Sequence, residues 1–217
     1  MGTYSLAQLA ASLRSYPSAL VAKLLAALVP IECYEITNPA ASSNVGLLAA
    51  TASTVAVQTY LKAQLLGAGI AVLNSYPRRV TFTTGGATPA DAPASATITG
   101  LDGAGQVITE TVSIGQTATT VSSVKFFSDI TSIVYTAGDG ASATVSIGWG
   151  AAIGFKRKPM LRNAAVAALV EFTDGVPSGT RGTYITPASG GTYGGVTFNT
   201  APDGVHDYTI WFEADLS

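Results

Sequence analysis

The sequence predicts an all-β protein, a β-sandwich of immunoglobulin-like architecture with a short helical N-terminal segment and a C-terminal β extension. Two observations predict the class. From Arg78 to Gly150, short runs rich in Val, Ile, Thr and Phe recur between Gly, Asp and Pro turns, the spacing of a sandwich with hairpin and Greek-key connections. Within that stretch Asp102-Gly103 separates two alternating runs, the strongest short-range hairpin signal. One cysteine among 217 residues rules out a Cys–Trp–Cys core, so the immunoglobulin likeness is one of architecture alone.

The elements follow in order along four segments. Residues 1–30 carry Leu6, Leu9 and Leu13, then Leu20, Leu24 and Leu28, at helical spacing. Pro17 suits a first turn and Pro30 a stop, so two short helices with one apolar face are predicted, suited to docking on the chain or on a neighbour. Residues 31–76 are a connecting segment. Asn38 to Asn44 is loop material. In Thr54–Leu66 the alternation of Val55, Val57, Thr59 and Leu61 competes with helical spacing, and the β-branched start favours a strand broken at Gly67-Ala68-Gly69.

Residues 77–155 form the predicted sandwich core. Arg78–Thr84 alternates cleanly; 96–100 meets 106–114 across the Asp102 turn; 121–127, 130–135 and 143–149 follow as strands. The Phe126-Phe127 pair puts an aromatic side chain in the core whichever face is buried. Gly148 and Gly150 flank Trp149 and leave room for a close backbone or a bulge. Residues 156–217 add candidate strands at 166–172, 183–186, 195–198 and 208–212. The last of these pairs with an earlier strand or swaps onto a neighbouring subunit.

Composition narrows the function. Apolar residues make up 47% and charged residues 11%, with a mean hydropathy of +0.37, which excludes a disordered chain. Net charge is −2, and Lys156-Arg157-Lys158 is too short a basic run to track nucleic acid. The run from Ala19 to Ile31, interrupted by Lys23 and Pro30, falls short of the roughly 20 residues of a membrane span. The first residues lack the basic start of a secretory signal. So few charges leave a surface of Gly, Ala, Ser and Thr, or one covered by partners, and point to life in an assembly.

No residue pattern carries a catalytic, cofactor or metal site. His206, in Pro202-Asp203-Gly204-Val205-His206-Asp207-Tyr208, is the sole histidine and reads as a turn residue despite its aspartates. Cys33 reads as a small buried hydrophobe. Gly100, Gly103 and Gly105 precede a β run, whereas a phosphate cradle needs a helix there. Asp102, Asp139, Asp174 and Asp203 each precede Gly and read as turns, without the alternating oxygen ligands of a calcium loop. Glu110, Glu171 and Glu213 form no recognisable acid/base pair, and Glu110 reads as solvent-facing. Lys156-Arg157-Lys158 reads as a solvated linker. Tyr184, Tyr193, Tyr208, Trp211 and Phe212 read as packing aromatics, with a carbohydrate platform as the alternative.

One stretch resembles a known module. It comprises Tyr76-Pro77-Arg78-Arg79-Val80-Thr81-Phe82, then Thr97-Ile98-Thr99-Gly100-Leu101-Asp102-Gly103-Ala104-Gly105-Gln106, then Thr109-Glu110-Thr111-Val112. Val124-Lys125-Phe126-Phe127-Ser128-Asp129-Ile130-Thr131-Ser132-Ile133 and Thr144-Val145-Ser146-Ile147-Gly148-Trp149-Gly150 complete it. It resembles a β-rich module of tailed-bacteriophage virion structural proteins found in head decoration, connector and tail components. The helical start and the C-terminal extension lie outside the likeness. The resemblance implies a non-catalytic virion protein, foremost a capsid decoration or cement protein, with copies of itself and the major capsid protein as partners. A neck, tail or fibre-adaptor protein is the alternative within that class. A carbohydrate-binding host-adhesion sandwich is the alternative outside it. Neither nucleic acid nor membrane is expected as a partner.

Overall fold

A computed structural model describes residues 31–86, 91–114, 119–138, 143–157, 170–178, 182–191 and 193–213. The predicted helices of residues 1–30 and the turn at Asp139 lie outside these residues. The chain is all-β, and its described strands pair antiparallel in three sheets. Through their middle runs β9 (Thr144–Gly154). One edge of β9 pairs with β4 (Arg78–Gly85), whose other edge takes β7 (Thr120–Ser122). The opposite edge pairs first with β2 (Ser43–Ala52) and then with β13 (Gly195–Thr197), which carries β12 (Thr183–Ile185).

The second sheet has the order β3-β8-β5-β6, with β3 at Gln58–Leu61, β5 at Ser95–Leu101, β6 at Val107–Ser113 and β8 at Asp129–Tyr135. The third joins the two ends of the described chain: β1 (Ile31–Ile36) pairs with β14 (Tyr208–Glu213). That strand also pairs with β10 (Val170–Thr173), which turns into β11 (Val176–Pro177). Within the single chain the C-terminal strand pairs with the earlier strands β1 and β10.

Alternation explains which faces are apolar. Val80 and Phe82 of β4 and Val145 and Ile147 of β9 meet Ile98, Ile108, Ile130, Ile133 and Tyr135 of the β3-β8-β5-β6 sheet in one buried cluster. Ile36, Tyr208 and Ile210 of the third sheet meet Ile153, Phe155, Val196 and Phe198 in a second. Phe127 belongs to the first cluster, whereas Phe126 is buried against the bare backbone of Gly154 and Gly195. Both members of the aromatic pair are therefore inside.

Turn chemistry follows the sequence. Asp102 accepts the N–H groups of Ala104 and Gln106, both at 2.9 Å. Gly105 donates back to the Asp102 carbonyl and takes φ +78°, which closes the β5–β6 hairpin as a turn plus a left-handed residue. Asp174 and Gly175, at φ +50° and +77°, join β10 to β11 with the two positive angles that a tight hairpin needs. At Gly148 an added Cβ would overlap the Ser43 carbonyl, and the register slips between Arg78 and Val80 where they face β9. Both the close backbone and the bulge foreseen beside Trp149 are present.

Three expectations need correcting. The strand placed at 54–66 covers only Gln58–Leu61; a 3-10 turn at Lys62–Gln64 follows. Gly67-Ala68-Gly69, read as a break, instead opens helix α1 (Gly67–Ser75). Burial of Ile70 and Leu73 in the first cluster overrides glycine's poor helix propensity. Of the strand expected at 121–127, only Thr120–Ser122 pairs as one, because Val124 and Lys125 give their N–H groups to a side chain.

Candidate functional site

The candidate catalytic groups are held in local structure. Glu110 shares the inward parity of Ile108 and Val112 on β6 rather than the solvent face expected of it. Its two carboxylate oxygens accept the N–H groups of Val124 (2.6 Å) and Lys125 (2.8 Å), so it clamps a loop. Glu171 is buried on β10, in another sheet, with one oxygen accepting the Asn199 N–H at 2.9 Å and the other unpartnered. No acid/base pair forms between these two carboxylates. The side chain of Glu213 lies outside the described residues, as do those of Trp211 and Phe212 and all of Lys158.

Cys33 is exposed on β1 instead of buried, because alternation with Ile36 turns it outward. Desolvation, and then Glu35, raises its thiol pKa, the reverse of what a nucleophile needs. His206 Nδ1 lies 2.5 Å from Asp203 Oδ2, and its Nε2 lies 3.7 Å from Asp174. Asp203 Oδ1 accepts the backbone N–H groups of His206 and Val205, and these bonds hold its carboxyl down to about 2. Asp207 accepts the Asn38 N–H at 2.9 Å. These contacts stitch the β10–β11 turn to the loops at 38–39 and 203–207. Among the described residues no three His, Cys, Asp or Glu side chains are placed to hold a metal ion, and no helix is long and apolar enough to cross a membrane.

The aromatic residues pack. Tyr208 is buried, Tyr184 stacks on Phe155 with ring centroids 6.2 Å apart, and Tyr193 lies against the same cluster. Lys156 and Arg157 are exposed over the rings of Tyr76 and Tyr34.

Two features were missed in the sequence. One is Arg78, whose side chain is fully buried with no carboxylate on it among the described residues. Its Nη1 donates to the Gly150 and Ala151 carbonyls of the β9 bulge, and Nη2 donates to Ala40. Burial lowers its pKa to about 10. The other is the outer face of the β3-β8-β5-β6 sheet. Tyr60 of β3 turns inward, 5.7 Å from the Tyr135 ring, so Thr59 and Leu61 point out, and Val57, just before the strand, is exposed as well. Across the register lie Val134 and Ser132 of β8, Thr97 and Thr99 of β5, and Thr111 and Thr109 of β6.

This face carries almost no charge. Thr97 and Thr111 share a hydrogen bond of 3.0 Å, and Thr99 and Thr109 one of 3.4 Å, so their hydroxyls are already paired. Asp129, at the corner, is neutralised by Lys62 at 2.5 Å. Lys62 is also the only charged residue between Glu35 and Arg78. The signal of this face was in the sequence, as threonine at the two central alternate positions of each strand, Thr97 and Thr99 of β5 and Thr109 and Thr111 of β6.

Comparison with family models, with curated proteins and with solved structures finds no match to the chain.

Proposed function

We propose that this protein is a non-catalytic structural component of a tailed-bacteriophage virion, foremost a capsid decoration protein that stabilises the head through subunit contacts. The observation that carries the assembly reading is the uncharged outer face of the β3-β8-β5-β6 sheet. There Leu61 is 56% exposed on the edge strand β3 and Val57, just before that strand, is 64% exposed, where proteins usually place charge, proline or a bulge to prevent association. The virion placement draws on the resemblance of the segment 76–150 to phage head and tail modules. In the shell, many weak contacts repeated by symmetry add up to firm attachment.

The test is the copy number of this chain in purified particles, by quantitative mass spectrometry. Hundreds of copies per particle support capsid decoration. About six or twelve copies, the multiplicity of a ring, move the protein to the neck, tail or fibres. Absence from particles overturns the reading.

A further inference from the structure

We propose that Glu171 anchors a binding site for a hard cation of the calcium class, between β10, the residues that lead into β12 and those that leave β13. The proposal goes beyond the virion reading and does not rest on it. Three observations lead to it.

The first is the place of the carboxylate. Glu171 faces Ile210 across the β10–β14 register, and Ile210 is buried in the second apolar cluster. Residues directly opposite in a sheet share a face. Glu171 therefore stands at an inward position where alternation calls for an aliphatic residue, and it is 1% exposed. Its Oε2 accepts the Asn199 N–H at 2.9 Å, and its Oε1 meets no donor. A buried carboxylate is ordinarily paired with a cation or bound to a metal. Among the described residues Glu171 has no ion pair, since Lys62 is held by Asp129 and His206 by Asp203 and Asp174.

The second is the recess beside it. A Cβ added at Gly182 would lie 2.8 Å from the Thr197 carbonyl oxygen and 3.0 Å from Glu171 Oε2, so glycine keeps open a gap between two oxygens. Ser178 donates its N–H to the Glu171 carbonyl, and its Oγ lies 3.5 Å from Asn199 Nδ2. The oxygens gathered here belong to one carboxylate, a main-chain carbonyl, a hydroxyl and an amide, with no sulfur and no imidazole among them. Such a set suits a hard cation. Calcium takes carbonyl and side-chain oxygens in flexible geometry, whereas magnesium demands a near-ideal octahedron.

The third is the field. Burial first, and then Asp203, Glu171 and Asp174, push the Tyr208 phenol up, so three carboxylates act on one place. That field draws a cation. With a single carboxylate among neutral ligands, the ion is held at the weak end of the calcium range, with a Kd of about 1 mM.

The test is thermal unfolding of the full chain in calcium chloride at about ten times that Kd, against sodium chloride of equal ionic strength. The ion is expected to raise the ratio of folded to unfolded chain about tenfold, a shift of about 3–6 °C in melting temperature. Glu171→Gln keeps an acceptor for the Asn199 N–H, removes the charge and is expected to lose the shift. Asp203→Asn, on the exposed turn, is expected to keep it. Terbium emission excited through tyrosine gives a second reading that does not depend on the folding of Glu171→Gln. In Asp203→Asn it is expected to appear and to be displaced by calcium. A wild type that melts alike in calcium and sodium overturns the proposal. So does a folded Glu171→Gln that keeps the shift, or an Asp203→Asn protein without terbium emission that calcium displaces. A shift that appears only in Arg181→Gln also overturns it and gives the free oxygen to the arginine that precedes Gly182 in the sequence. Particle copy number, which tests the virion reading, bears on none of these outcomes.

Discussion

Replacing Arg78 with Met tests what joins the two apolar clusters. Arg78 opens β4 where its register slips against β9, and its guanidinium holds the bulge carbonyls of Gly150 and Ala151 at 3.1 and 3.0 Å and the Ala40 carbonyl at 2.8 Å. Hydrogen bonds from a charged donor contribute about 1.5–3 kcal/mol each, so the three supply roughly 4–9 kcal/mol. Burial works against them. The lowering of the Arg78 pKa from 12.5 to about 10 corresponds to about 3 kcal/mol at 1.36 kcal/mol per unit. Methionine keeps an unbranched apolar stem and removes both terms.

The net expectation for Arg78→Met is therefore a loss of about 3 kcal/mol, or about 6–12 °C in melting temperature for a chain of this size. Urea unfolding at constant m-value measures it. Amide exchange should quicken in residues 37–42, which Arg78 ties down at Ala40 and Trp149 Nε1 ties down at Ala41. The sign with pH is fixed as well. An arginine with a lowered folded-state pKa carries its burial penalty in full below about 10, and stability recovers only as pH rises from there toward 12.5. A variant within about 0.5 kcal/mol of wild type, with unchanged exchange at 37–42, refutes the role given to the guanidinium.

Two further outcomes follow from single positions. Gly148→Ala drives a methyl group into the Ser43 carbonyl and should cost more than about 3 kcal/mol in urea unfolding, whereas Gly150→Ala, whose nearest neighbours are 3.9 Å away, should stay within about 1 kcal/mol; equal effects would show that β2 does not press on Gly148. Asp203, held at about 2 against the usual 3.8 chiefly by backbone N–H bonds from His206 and Val205, contributes stability that is present above 3.8 and lost as pH falls through about 2. In a carboxyl NMR titration His206→Ala should leave that midpoint well below the usual value, and a return to normal would move the cause to the imidazole.

What was legible in the sequence is what local chemistry decides. The β5–β6 hairpin needed only Asp102 and a glycine free to take positive φ, and the β10–β11 turn needed only Asp174-Gly175. The strand β2 was not legible. Ser-Asn-Val-Gly-Leu-Leu-Ala-Ala-Thr-Ala has little β propensity. It is a strand because β9 offers it an edge and Gly148 lets its backbone approach. Glu110 and Arg78 escaped for the same reason, since their partners are backbone groups 14 and more residues away. No spacing rule connects such pairs.

The candidate face was half legible, and the half that was missed bears on function. Alternation at Val55, Val57, Thr59 and Leu61 announces a strand whose two faces differ, and the ordinary inference puts the aliphatic face inside. That inference relies on the other face being charged or strongly polar. Here the other face of β3 offers Gln58 and Tyr60, and no residue from Asn38 to Leu61 is charged, so water gives little guidance. Volume decides instead: Tyr60 fills the space beside Tyr135, while Ile98 and Ile133 of the neighbouring strands close the first cluster. Leu61 of β3 is left outside, as is Val57 just before the strand, because larger groups hold the interior. Such a sheet exposes aliphatic surface without any failure of packing within the chain, and it is that surface which the proposed assembly would cover.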